Sequence, residues 1–146
     1  MRRVKKLYLA GPLFTTAERD FNRNLAAVLR EAWEFECFLP QESEQKPPVT
    51  ADGIFAGDVA GIEWADAIVA NMDGPDPDSG TCWECGSVWQ RKPVILYRTD
   101  IRNEDPFGPF NLMLHRSADA VLDCKWLSVA AIAESIAHAL ESRHVG

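Results

Sequence analysis

The sequence is short of positive charge: 15 Lys and Arg stand against 22 Asp and Glu, for a net charge of −7. Nucleic-acid binding draws its affinity from cations that neutralise phosphates, so no nucleic-acid partner is expected. The one basic cluster, Arg2-Arg3-x-Lys5-Lys6, leads straight into a strand-like run and reads as a solvated strand start. Long apolar runs are also missing. Nothing approaches the ~20 residues of a membrane span, and Val4 to Ala10 is interrupted by Lys5 and Lys6, unlike a signal-peptide core. No membrane contact and a cytoplasmic location are therefore expected. Cysteine and histidine are few: Cys82-x-x-Cys85 has the spacing of a redox pair, but Cys37 and Cys124 stand alone. His115, His138 and His144 are scattered, and a structural zinc would want a second cysteine pair. No metal and no cofactor are expected, and small buried packing is the simplest use of these thiols, with a redox role as the alternative. The Gly11-Pro12 break lacks a following Gly-x-Gly-x-x-Gly, so it is not a dinucleotide fingerprint. There is no internal repeat, low-complexity tract or linker. Residues 1–146 read as a single domain able to bury roughly two-thirds of its unfolded surface.

What is present is an alternation of strand and helix signals. Residues 4–10 form a short apolar run that predicts a buried first strand. Thr15-x-x-Glu18 is a capping-box pattern, and Phe21, Leu25, Val28, Leu29 and Ala32 continue it at helical spacing. Phe35 to Leu39 predicts a second strand ended by Pro40, and residues 41–50 a polar loop containing Pro47 and Pro48. Ile54, Phe55, Val59 and Ile62 mark a helix that carries Asp58. Ala67–Ala70 reads as a third strand, Thr81 to about Arg91 as a helix turning Glu84, Val88 and Trp89 toward the sheet, and Val94–Tyr97 as a fourth strand. A loop over 98–109, a fifth strand over Ala118–Leu122 and a last helix capped by Ser128 complete the chain. Strands that alternate with helices predict a parallel sheet covered on both faces. The expected fold is α/β: a flavodoxin-like (Rossmann-like), doubly wound, five-stranded parallel sheet.

The chain is organised around Asp78-Ser79-Gly80-Thr81-Cys82-Trp83-Glu84-Cys85-Gly86. This stretch follows the third strand and the turn cluster Asp73-Gly74-Pro75-Asp76-Pro77, and it opens a helix. Open α/β sheets place ligands at the carboxyl ends of their strands. There Gly80 lets backbone approach a ligand, and the free N–H groups of a helix start face the same crevice. Asp78 and Glu84 would share one pocket. Paired carboxylates around a small substrate suggest glycosidic chemistry, in which one attacks the anomeric carbon while another group handles the proton. The helix start is expected to keep Glu84 ionised.

Asp78-x-Gly80-Thr81-x-x-Glu84-x-Gly86 resembles the signature of the nucleoside 2-deoxyribosyltransferase family. Tyr8-Leu9-Ala10-Gly11-Pro12 resembles that family's opening strand and Phe38-Leu39-Pro40-Gln41 its second. Asp58-x-x-Gly61-Ile62-x-x-x-Asp66 and Asn111-Leu112-Met113-Leu114 resemble two further blocks, so the likeness runs in order from about residue 7 to 115. The resemblance implies the same fold and a transfer of 2-deoxyribose between nucleobases, within nucleotide salvage, through a covalent deoxyribosyl–Glu84 intermediate. A hydrolase of the same fold, cleaving a deoxynucleoside or its 5′-monophosphate with water, is the alternative. A non-catalytic nucleoside-binding or redox module is a third reading.

By the same resemblance, Tyr8 holds the Glu84 carboxylate and Asp58 serves the base end, hydrogen-bonding a ring nitrogen or relaying its proton. Asp78, Gly80 and Gly11 are expected to contact substrate. Phe14 and Gln41 lie above the sheet edge, where they stack on or hydrogen-bond the base. Asn111 reaches the sugar 5′-hydroxyl of a neighbouring subunit, which implies a homo-oligomer whose partners are a 2′-deoxyribonucleoside and a free nucleobase. Each residue also has a plainer use: Asp58, Asp78 and Asn111 as caps, Tyr8 as a core aromatic, Phe14 as a staple on the first helix. Nucleotide-hydrolysing relatives tend to carry a small hydroxyl residue at the position of Asp78, where a carboxylate would repel a phosphate. The sequence departs from the family pattern in the unassigned Cys82, Trp83 and Cys85, in the 41–50 loop, and in a continuation of about 30 residues beyond the Asn-Leu-Met block.

Overall fold

The computed structural model describes residues 1–44, 49–102 and 106–146. Parts of the two loops expected over 41–50 and 98–109, Pro47 and Pro48 among them, therefore lie outside the described residues.

Two short strands at the chain ends, β1 (Arg2–Arg3) and β7 (His144–Val145), pair antiparallel. The main sheet consists of β2 (Lys6–Ala10), β3 (Glu36–Phe38), β4 (Ala67–Asn71), β5 (Val94–Arg98) and β6 (Ala120–Asp123). All neighbours run parallel, in the order β3-β2-β4-β5-β6. Counted within the sheet this is the 2-1-3-4-5 order of the flavodoxin-like fold, as expected from the alternation of elements. Connections leave β2 and β4 in opposite directions along the sheet. That switch point opens a crevice at their carboxyl ends.

The helices cover both faces. On one side α1 (Thr16–Trp33) and α6 (Val129–Glu141) bury Leu25, Leu29, Ile132 and Ile136 against Leu7, Leu9, Val69 and Ile95. On the other, Tyr8, Ala10, Ile68, Ala70 and Leu96 pack under α3 (Ala51–Trp64), α4 (Ser79–Ser87) and α5 (Leu112–Ser117). This alternation along β2 and β4 is the period-two pattern of strands buried on both faces. The caps follow the sequence: Thr15 and Glu18 form both halves of a capping box on α1, and Ser128 Oγ accepts from Ala131 N on α6.

Two expectations need correction. Pro40 does end β3, but it does so as the first residue of a further short helix, α2 (Pro40–Ser43), so the chain does not pass directly into a loop. The helix carrying Glu84 stops at Ser87, and Val88, Trp89 and Gln90 form a tight turn with Gln90 at φ 64°. Val88 is buried as expected, but the turn swings Trp89 outward to 57% exposure. The apolar stripe of α3, which marks the helix as expected, is mostly a cleft wall. Of Ile54, Phe55, Val59 and Ile62 only Ile62 is buried, and all four line a cleft.

Candidate active site

Tyr8 and Glu84 come together through the register of the sheet. Tyr8 lies on β2 opposite Ile68 of β4, the strand that leads into α4. Its ring is fully buried and stacked on Phe38 at 5.3 Å and 11°. Gly61 makes that stacking possible, since a Cβ there would meet the Phe38 ring at 2.7 Å. Gly11 does the same for the end of β2. It turns at φ +153°, and a side chain would meet Asn71 Cβ at 2.9 Å. The turn leading to α4 is tied down by Asp73, whose Oδ1 accepts from Thr99 N at 2.7 Å and Asp100 N at 2.9 Å. The result is a buried phenol whose hydroxyl donates to Glu84 Oε2.

Glu84 forms part of a cleft of about 580 Å³ bounded by Gly11, Phe14, Glu44, Asp58, Asp78 and Gly80, with Phe55 and Trp83 as an aromatic wall. The Phe55 and Trp83 rings lie 5.6 Å apart, tilted by 58°, and both stay half exposed. Large apolar rings with one face free are suited to stacking a flat heterocycle. Among the described residues, every charged group lining the cleft is a carboxylate.

Burial sets the protonation of these groups. It pushes Glu84 up to about 7; the Tyr8 hydrogen bond opposes this, and Asp58, Asp78 and Glu44 add to it. The expectation that the helix start keeps Glu84 ionised is therefore corrected. Glu84 sits in the second turn of α4, beyond the first turn where the dipole acts, and desolvation wins. Asp58 is pushed up to about 6, first by burial and then by Glu44. Its Oδ1 is buried with no hydrogen-bond partner among the described residues. Burial and the neighbouring Glu84 charge hold the Tyr8 hydroxyl protonated far beyond the neutral range, so it acts as a donor.

Asp78 caps α4, its Oδ2 accepting from Thr81 N at 3.0 Å and Thr81 Oγ1 at 3.1 Å, while it also borders the cleft. Gly80 stands beside it, and a side chain there would crowd the Asp78 carboxylate at 3.3 Å. Phe14 is exposed at the cleft mouth, and its N–H donates to Glu18 of the capping box. Three expected residues do not line this cleft: Tyr8, which is fully buried and reaches it only through its hydrogen bond to Glu84, Gln41 and Asn111. Gln41 is buried, donating to Arg19 O at 2.9 Å and accepting from Asn22 Nδ2 at 3.1 Å, so it braces α1. Asn111 caps α5 by accepting from Met113 N at 2.9 Å and borders a separate groove between α4 and α5, with Cys82 and Trp89.

Sequence reasoning missed Phe55 as a wall residue and Glu44 altogether. The signal for Phe55 was its place at i−3 to Asp58, on the same helical face. Phe107 and Phe110, aromatics that follow the 98–105 stretch, are not among the cleft residues, and Phe110 packs edge-on against His115 instead. Cys82 and Cys85 are free thiols. Burial raises both, Cys85 to about 12. Among the described residues no cluster of His, Cys, Asp or Glu is placed to hold a metal, and no helix is long and apolar enough to cross a membrane.

Comparison with known proteins bears on this arrangement. A 2-deoxyribosyltransferase of known structure from Bacillus psychrosaccharolyticus is 26% identical, over 88% of this chain and 90% of that chain, with a TM-score of 0.69. One from Leishmania mexicana is 23% identical over 96% and 99% of the two chains, with a TM-score of 0.71. A CMP N-glycosidase from Clostridium botulinum is 19% identical over 90% and 97%, with a TM-score of 0.62. The last two likenesses establish the shared fold. No curated protein matches the chain significantly. The sequence profile of nucleoside 2-deoxyribosyltransferases matches residues 7–113, from β2 into α5, and on that span the chain belongs to the nucleoside 2-deoxyribosyltransferase family.

Proposed function

We propose that the protein moves 2-deoxyribose between nucleobases in two steps on Glu84. The observation that carries this reading is the buried Tyr8 hydroxyl held on the Glu84 carboxylate at the floor of an aromatic-walled cleft. In the first step a Glu84 oxygen bonds to C1′ while the C1′–N bond breaks. Its electron pair leaves with the base, which takes a proton from Asp58. In the second step a nitrogen of another base attacks C1′, the ester breaks to return the carboxylate, and the incoming base gives its proton to Asp58. Two inversions keep the β configuration. The 2-deoxy sugar eases both steps because no 2′-hydroxyl withdraws electrons from the developing cation. Asp78 and Gly80 border the sugar, and Asn111 serves the 5′-hydroxyl in a neighbouring subunit's cleft within a cytoplasmic homo-oligomer. Its position in a groove apart from its own chain's Glu84 supports that last assignment.

Hydrolysis of a nucleotide is the second reading, favoured by the likeness to a CMP N-glycosidase. The carboxylate lining of the cleft argues for the uncharged nucleoside, because a 5′-phosphate would meet like charge. The deciding measurement is release of free base from deoxyinosine with and without adenine, with NMR assignment of the product anomer. Transfer should exceed hydrolysis by at least about tenfold, ~1.4 kcal/mol in barrier. Equal release in both, with free deoxyribose as the sole sugar product, would show a hydrolase.

A further inference from the structure

Glu44 follows the Pro40–Ser43 helix and borders the cleft beside the first turns of α3. No part of the chemistry above uses it. Its charge adds to the raising of Asp58, Glu84 and Tyr8. The cleft therefore holds both the Glu44 and the Asp58 carboxyl groups, and its wall is formed by the Phe55 and Trp83 rings. One of them, Asp58, has a buried oxygen that no described group satisfies. A buried polar atom without a partner costs free energy until a ligand supplies one.

We propose that Glu44 is a specificity-determining residue that selects nucleobases in which a ring nitrogen acceptor adjoins an exocyclic amino group. This rests on the cleft taking a nucleobase, as proposed above. Asp58 in its acid form donates to the ring nitrogen, and the Glu44 carboxylate accepts from the amino group beside it. Adenine offers this pair as N7 and the 6-amino group, cytosine as N3 and the 4-amino group. Hypoxanthine and uracil place a carbonyl oxygen where the amino group would be, and that oxygen would face the Glu44 carboxylate lone pairs. A site built to accept from an amino group rejects the oxo analogue because both acceptors are left unpaired.

The test is calorimetric binding of the free bases at pH 6 to wild-type protein, Glu44→Gln and Glu44→Ala. Wild type should bind adenine over hypoxanthine, and cytosine over uracil, by about tenfold or more, the discrimination expected of one such polar contact. Glu44→Gln, whose amide can donate to a carbonyl, should bring the adenine-to-hypoxanthine ratio to within about threefold, chiefly by tighter binding of hypoxanthine, while uracil, whose N3 carries a proton and cannot accept from Asp58, stays disfavoured. Glu44→Ala should lower the ratios by weakening the amino base. Equal wild-type affinities, no binding of any base, or unchanged ratios in both variants would overturn the inference. Binding is read without turnover, so the two ideas fail separately. Selective binding without sugar transfer would remove only the proposed activity, and transfer without selectivity only the role of Glu44.

Discussion

Replacing Tyr8 with Phe removes one oxygen from the protein's interior and leaves its packing in place. The ring would keep its stack on Phe38, so the change isolates the hydrogen bond to Glu84 Oε2. A hydrogen bond to a charged acceptor is worth about 1.5–3 kcal/mol, and this one favours only the ionised carboxylate. At 1.36 kcal/mol per pKa unit, its loss should raise Glu84 by about one to two units from its starting point of about 7. At pH 7 the ionised fraction would fall from about half to between roughly a tenth and a hundredth, a loss of about 5- to 50-fold in kcat/KM. The assay is base release against pH. The optimum of the Tyr8→Phe profile should fall in height and move alkaline by about half to one unit, to midway between Asp58 and the raised Glu84. An optimum of wild-type height and position would refute the assigned role of the phenol.

Glu84→Gln should lower turnover by about 10³-fold or more, since it removes the nucleophile. The same variant should melt higher than wild type at pH 8 but not at pH 4. A carboxyl raised by folding from its ordinary 4.5 to about 7 contributes stability below the lower value and loses it as pH rises through the higher, on the order of 1–3 kcal/mol; a scanning-fluorimetry melting point at or below wild type at pH 8 would contradict this. Mixing inactive Glu84→Ala and Asn111→Ala proteins should restore part of the activity if Asn111 serves a neighbouring cleft, and a fully active monomer in sedimentation would rule that out.

The fold was legible because the parallel sheet is buried on both faces. Strands such as Ala67–Asn71 appear as continuous apolar runs, and the helices between them carry their own caps at Thr15 and Ser128. The residues at strand ends were legible for a related reason: the Tyr8–Glu84 contact needs only that β2 and β4 be neighbours. The cleft walls were harder to read. Helix α3 has an apolar stripe like any core helix, and the distinction between core and cleft lies in what covers it, which no periodicity records. Gln41 was misplaced because a polar residue before a proline-containing stretch looks exposed, whereas its amide is spent bracing α1. The protonation of Glu84 escaped for the same cause. Position in the helix can be counted along the chain, but desolvation depends on the aromatic wall and the other carboxyl groups brought in by folding.

That desolvation poses a problem the substrate itself can solve. The proposed first step needs Glu84 charged and Asp58 protonated, yet Glu84 is pushed up to about 7 and Asp58 to about 6. In the empty cleft the required pair is a minority form, most populated between these two values, near pH 6.5 at roughly a twentieth of the protein. Binding moves both groups the right way. A base nitrogen that accepts from Asp58 stabilises its neutral form, and the growing positive charge at C1′ stabilises the Glu84 carboxylate. The pH profile of kcat/KM, which reports the free enzyme, should therefore be a narrow bell near pH 6.5, while that of kcat should broaden into a plateau on both sides. Steady-state rates from pH 5 to 9 with one deoxynucleoside and a saturating second base would measure both. Profiles of equal width would show that the substrate does not reset these two groups and that the proton comes from elsewhere.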